Sequence, residues 1–275
     1  MFEFIKKLIR KNPFIYNIIF MIFVYGGRQS VFYFHYLLRK MGVRQKFNYD
    51  DLLKFKNIHQ GKRCFIVGTG PSLKLEDLDL IKNEFSISVN SIVLSYGDTS
   101  WRPTYYAIQD KRAYEKLEKE IKKAKMPFVF IGISNKRLTP ISDIDFIPYP
   151  LNLLDHGKRV TTHLNKFSQD AFKCVYDGHS ITYSAIELAV YMGFKEIVLL
   201  GIDCDYSRQV NHVKAYCTQD DKNAAFLMRE SYKIANDFAN KNDFRIINCT
   251  RNAKLDVFEK RALEEVLKQD PTTAC

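Results

Sequence analysis

Four short runs combine residue types that hold phosphates, hydroxyls or protons. The first is Val67-Gly68-Thr69-Gly70-Pro71-Ser72-Leu73. An apolar run feeds a turn with two glycines, and a helix is expected to start there. Glycines permit close backbone approach and positive φ. Pro71 suits a first helical turn. Ser72 suits a cap or a phosphate, and free N–H groups at a helix start favour an anion. A purely structural tight turn is the other reading. Leu73 stands where a third glycine would complete GxGxxG, and there is no Walker lysine.

The second run is Asn90-Ser91, after Phe85–Val89, with Gln109 and Asp110 in the same relation to Tyr105–Ile108. Carboxyl ends of strands in open α/β sheets face the ligand crevice. An Asn there suits phosphate, ribose or sugar hydroxyls, or simply a turn. The third is Gly201-Ile202-Asp203-Cys204-Asp205-Tyr206. Asp203 and Asp205 have the spacing of carboxylates that hold Mg²⁺ beside a diphosphate. Asp203 equally suits a turn or a ribose hydroxyl. No metal ligand set is assigned, and Mg²⁺ stays an option. The fourth is Asn211-His212, in a polar loop with Arg208, Lys214 and Tyr216. A histidine near neutral pKa is the default general base, although a solvated loop histidine is the commoner case. His179 is second choice.

These runs need a scaffold that brings strand ends together, and the intervening sequence alternates strand and helix signals. Strands are expected at Arg63–Val67, Phe85–Val89, Tyr105–Ile108, Pro127–Ile131, Glu196–Leu200 and Arg245–Ile247. Helices are expected at Leu78–Asn83, Arg112–Lys125, Ile181–Met192 and Ala224–Lys241, with Ser180 as an N-cap and Gly193 closing the third. The helix Arg112–Lys125 reads as polar almost all round. This alternation predicts an α/β, Rossmann-like, doubly wound parallel sheet over 61–260. Residues 134–178, with Pro140, Pro148 and Pro150, read as an irregular lid or insert. Residues 261–275 read as a tail.

The chain has 275 residues and a formal charge of +11. Residues 1–47 carry nine Lys and Arg against Glu3 alone, a net +8. The rest is nearly neutral, and no nucleic-acid-reading motif is present. The head, 1–60, is helical, basic and aromatic-rich. Its longest apolar run, Ile18–Tyr25, is too short to span a bilayer. Basic residues flank it, which suits a membrane-surface segment; packing on the main domain or a homo-oligomer contact is the alternative. The six cysteines form no CxxC pair, and Cys64 and Cys249 read as small hydrophobes.

Taken together, the strand-Gly-x-Gly-Pro-Ser-Leu start, the run SITYSAIELAVYMGFKEIVLLGID from Ser180 to Asp203, and the closing run Ile246-Ile247-Asn248-Cys249-Thr250-Arg251 resemble one family. It is the MptE-like family, found in Maf flagellin glycosyltransferases and related to bacterial lipooligosaccharide sialyltransferases. The resemblance covers about 61–260. It implies a sialyltransferase-like variant of the fold and a nucleotide-activated sugar donor, typically CMP-linked, with no cofactor required. It implies that Gly68, Thr69, Gly70, Pro71, Ser72 and Asn90 hold the nucleotide, with Ser180 or Thr182 at the helix opening. It makes His212 the base and Tyr206 an aid to the leaving phosphate. Thr69 stands where the sialyltransferases carry Asn.

The function so expected is a glycosyltransferase of bacterial surface polysaccharide or lipooligosaccharide assembly. It would meet a glycan or glycolipid acceptor at the cytoplasmic face of the inner membrane. The alternatives are a Mg²⁺-dependent diphosphotransferase of the pterin pyrophosphokinase type, with Asp203 and Asp205 holding the metal, and a non-catalytic nucleotide- or glycan-binding partner.

Overall fold

The computed structural model describes residues 12–134, 144–154, 165–204 and 224–269. Its centre is a parallel sheet. In chain order the strands are β1 (Arg63–Val67), β2 (Phe85–Val89), β3 (Tyr105–Ile108), β4 (Val129–Ile133), β5 (Ile147–Asn152), β6 (Val175–Tyr176), β7 (Glu196–Leu200), β8 (Arg245–Asn248) and β9 (Glu259–Lys260). In space the order is β6-β5-β4-β3-β2-β1-β7-β8-β9, with every pairing parallel. The chain builds outward from β1 to β6, then returns to β1's other side. The junction of β1 and β7 is therefore the topological switch point, where open α/β sheets form their crevice. The Rossmann-like class holds.

β1 and β7 read as continuous apolar runs because both faces of the sheet are covered. Cys64 and Ile66 face one core, with helices α5 (Ile181–Tyr191) and α6 (Ala224–Asn240). Phe65 and Val67 face the other, with α3 (Leu75–Leu80), α4 (Lys111–Ala124), α7 (Leu263–Leu267) and the 3₁₀ turn Asn90–Ser95. Cys64 and Cys249 are buried, as small hydrophobes should be.

Three local expectations are corrected. The helix after β3 is not polar all round: Ala113, Tyr114, Leu117 and Ile121 form a buried stripe at helical spacing. The span 134–178 is not wholly an insert, because β5 and β6 belong to the sheet. Pro148 and Pro150 lie in β5, two apart, so both missing N–H groups face the same side. β6 pairs with Leu151 and Asn152, so among the described residues that side has no strand to bond at either proline. Finally, α3 starts at Leu75, and Pro71-Ser72 is a turn before it.

Helix α1 (Pro13–Met21), a π-helical stretch (Ile22–Gln29) and α2 (Ser30–Lys40) follow one another without a break. This rod is fastened to the β5–β6 margin. Arg28 donates to the Leu153 carbonyl at 2.8 Å. Gln29 and Asn152, both buried, exchange two amide hydrogen bonds of 2.9 Å. Arg39 donates to the Lys173 carbonyl at 3.1 Å and lies over the Tyr49 ring. One face of the rod is therefore hydrogen-bonded to the main domain.

Candidate functional site

The two loops at the switch point are locked together. The Gly68 N–H donates to the Leu200 carbonyl and the Gly70 N–H to the Gly201 carbonyl, each at 2.8 Å. The Ser72 hydroxyl donates to Asp203 Oδ2 at 2.7 Å. A Cβ on Gly68 would lie 2.2 Å from Ile202 Cδ1, and one on Gly70 only 1.9 Å from Asp203 Oδ2. Both glycines are thus required by chain-to-chain contact, and neither has positive φ. Gly201 does, at +66°. The Gly68 and Gly70 donors are thus taken by the carbonyls of Leu200, the last residue of β7, and Gly201, the residue after it.

The start of α3 also differs from expectation. Asp77 folds back to accept from the Lys74 N–H at 3.3 Å, so a carboxylate already occupies the helix start. Arg251, after β8, grips that carboxylate with both guanidinium arms, one at 2.6 Å. This pairing raises the Arg251 pKa further and keeps it charged. Nearby, the Ile202 N–H donates to Thr250 Oγ1 at 2.9 Å, and the Lys254 N–H to the Asp203 carbonyl at 3.1 Å. Asp203 is thus buried and fixed by both side chain and backbone.

On the other side of β1 the edge is less fully bonded. Asn90, the residue after β2, has φ +48°, a left-handed conformation that Asn tolerates better than most residues. Its carbonyl accepts from the Tyr106 hydroxyl at 2.8 Å. Its Oδ1 atom is buried and has no hydrogen-bond partner among the described residues; the same is true of Ser134 Oγ, after β4. Between them, Gln109 Oε1 accepts from Ser184 Oγ at 2.7 Å and Tyr149 OH at 3.1 Å. Burial pushes the Tyr149 phenol well above its usual pKa, so it stays protonated and donates.

Several expected residues have local duties. Asp110 caps α4 through the Ala113 N–H at 2.9 Å. Ser180 caps α5 through the Thr182 N–H at 3.2 Å and meets the Tyr232 hydroxyl at 3.2 Å. Thr182 is buried in the first turn of α5. His179, just before that cap, has φ +61°. Asp205, Tyr206, Asn211 and His212 lie outside the described residues.

Two residues of this edge were not singled out from the sequence. Arg251 was visible only as part of a polar Asn-x-Thr-Arg ending to an apolar strand. Glu187 carried no such signal, being one carboxylate inside an apolar helix. It is fully buried and accepts from the Ser168 and Tyr176 N–H groups at 2.7 and 2.6 Å. Burial, reinforced by Asp177, pushes its pKa well above the usual carboxylate range. It ties the approach to β6 onto α5.

Fold and edge together define an α/β protein with polar residues gathered at the carboxyl edge around its switch point. The chain belongs to the MptE-like family: residues 38–209 match the profile described as 6-hydroxymethylpterin diphosphokinase MptE-like. Among solved structures it is similar in fold to the Maf glycosyltransferase from Magnetospirillum magneticum AMB-1. The TM-score is 0.52 at 16% identity, over 84% of this chain and 41% of that one. The chain thus spans less than half of that protein's length. No curated protein matches the chain.

Proposed function

We propose that the chain is a glycosyltransferase whose nucleotide-activated donor lies along the crevice from Asn90 across the β1–β7 junction toward Arg251. The observation that carries this reading is the contrast at the edge. Asn90 Oδ1 is a buried acceptor without a partner among the described residues, beside a junction whose two loops are hydrogen-bonded to each other through Gly68, Gly70 and Ser72. A buried polar atom left unpaired costs about 1–3 kcal/mol, and a ribose hydroxyl or base amino group supplies the missing donor. Arg251, 38% exposed by side chain and held charged by Asp77, supports a phosphate nearby. The fold shared with a Maf glycosyltransferase and the sequence resemblance favour sugar transfer and a CMP-linked donor.

In the reaction so proposed, His212 takes the proton from the acceptor hydroxyl. That oxygen bonds to the anomeric carbon as the carbon–phosphate-oxygen bond breaks. The electron pair leaves on the nucleotide phosphate, aided by Tyr206, and a single displacement inverts the configuration. Asp203 contributes by holding the two loops in register through Ser72. The acceptor is a glycan or glycolipid.

The family's description favours a second reading, transfer of a diphosphate from ATP. That reading needs Mg²⁺ beside Asp203 and Asp205. Asp203 Oδ2 is already engaged by the Ser72 hydroxyl at 2.7 Å and the Ser72 N–H at 3.4 Å, which makes it a less ready ligand for a metal. A thermal-shift series with CMP, UDP, GDP, ADP and ATP, with and without Mg²⁺, separates the readings. Stabilisation by CMP that survives EDTA supports glycosyl transfer. A response confined to ATP with Mg²⁺ overturns it in favour of the second.

A further inference from the structure

The rod of residues 13–40 has one face fastened to the domain and another bare. Phe14, Ile18 and Ile22 follow one another at i, i+4 spacing, and all are exposed, Phe14 by 72%. Ile15, Ile19 and Phe23 repeat the pattern one residue on, and Phe34 continues the exposed surface in α2. Side chains of this size are ordinarily core residues. A run of them along one helix is a surface built to be covered. The anchors lie elsewhere on the rod: Arg28, Gln29 and Arg39 all bond back to the domain.

Charge decides what covers it. Residues 12–49 contain no Asp or Glu, and the first 47 residues carry nine basic groups against Glu3 alone; with Arg28 and Arg39 bonded to the domain, seven remain for a partner. Two copies meeting through this face would bring two such heads together. An anionic lipid surface meets both properties at once, taking the apolar side chains into the acyl boundary and the basic groups at the headgroups. No helix among the described residues is long and apolar enough to cross a membrane, so the rod would lie on the surface.

We propose that residues 13–40 dock on an anionic bilayer through the Phe14–Ile18–Ile22 face. The rod's central anchors are at Asn152 and Leu153, where β5 ends. That is the carboxyl edge of the sheet, which Gly68–Ser72 and Asn90 also occupy four and three strands away. The inference does not depend on the donor or the reaction.

Vesicle flotation of the full chain tests it directly. Vesicles of phosphatidylcholine with phosphatidylglycerol should carry the protein upward, and phosphatidylcholine alone should not. The double variant Ile18→Asp/Ile22→Asp should lose binding by at least about tenfold. Leu80→Asp, at an exposed leucine of α3 and not of the rod, should bind as wild type. Far-UV circular dichroism and a melting curve confirm that the double variant folds. Equal flotation of the double variant, or none by the wild type, overturns the proposal. So does a stable wild-type dimer that the double variant abolishes.

Discussion

The two sides of β1 differ in how completely they are bonded. Toward β7 and β8, Gly68, Gly70, Ser72, Asp203, Ile202, Thr250, Asp77 and Arg251 are joined in one continuous set of contacts. Toward β2 and β4, buried acceptors at Asn90 and Ser134 have no partner among the described residues. The first arrangement fixes geometry; the second leaves bonds for a ligand to make. A preorganised site needs both, because donors fixed in advance need not reorganise when the ligand arrives.

The largest way to break this contrast is on the locked side. Gly70→Ala should destabilise the fold by about 3 kcal/mol, the upper part of the range for overpacking. The added carbon would meet the Gly201 carbonyl at 2.7 Å as well as Asp203, and backbone yields less readily than a side chain. Urea denaturation measures it; a change of under ~0.5 kcal/mol would sink the packing account. Next, Ser72→Ala leaves a buried Asp203 oxygen short of a donor, at a cost of about 1–3 kcal/mol. Ser72→Thr, which keeps the hydroxyl, should recover part of that loss in the same assay.

On the open side the signature reverses. Asn90→Gly accepts φ +48° without strain, so melting should barely move. Nucleotide affinity, read by calorimetry, should fall about tenfold, as expected for one lost hydrogen bond. Unchanged affinity would remove Asn90 from the site.

The smallest effect lies at the opposite edge of the sheet. There His59 is buried between Phe85 and Phe194, with Nε2 2.6 Å from the Tyr105 hydroxyl. Burial, with Lys62 adding, lowers its pKa below 6.5. On acidification the unfolded chain takes up this proton before the folded one does. Stability present above pH 6.5 should therefore decline as pH falls through the lowered value. His59→Gln should flatten that part of the pH–melting profile. If crevice variants flatten it instead, the two edges are not independent.

Much of the scaffold was legible in the sequence. β1 and β7 announce themselves as unbroken apolar runs because both their faces are buried. β5 did not, because Pro148 and Pro150 forbid a central strand unless the neighbour on one side is missing. That condition depends on how short β6 is. At the site, Gly68 and Gly70 stood out as glycines, but the reason for them lies on another segment. Local sequence suggested room for a ligand; the structure fills that room with Gly201, Ile202 and Asp203. Glu187 was illegible because its partners are backbone N–H groups, which every residue type supplies.

The Ser72–Asp203 contact joins residues 131 positions apart. During synthesis, the glycine turn therefore emerges long before the loop that shapes it. Until β7 arrives, β1 is an edge strand and its turn has no carbonyls to bond. The crevice is among the last parts of the domain to take form. It follows that position 70 is held to glycine by two later segments at once: shortening Asp203 alone would not admit a side chain there, because the Gly201 carbonyl stands in its way as well.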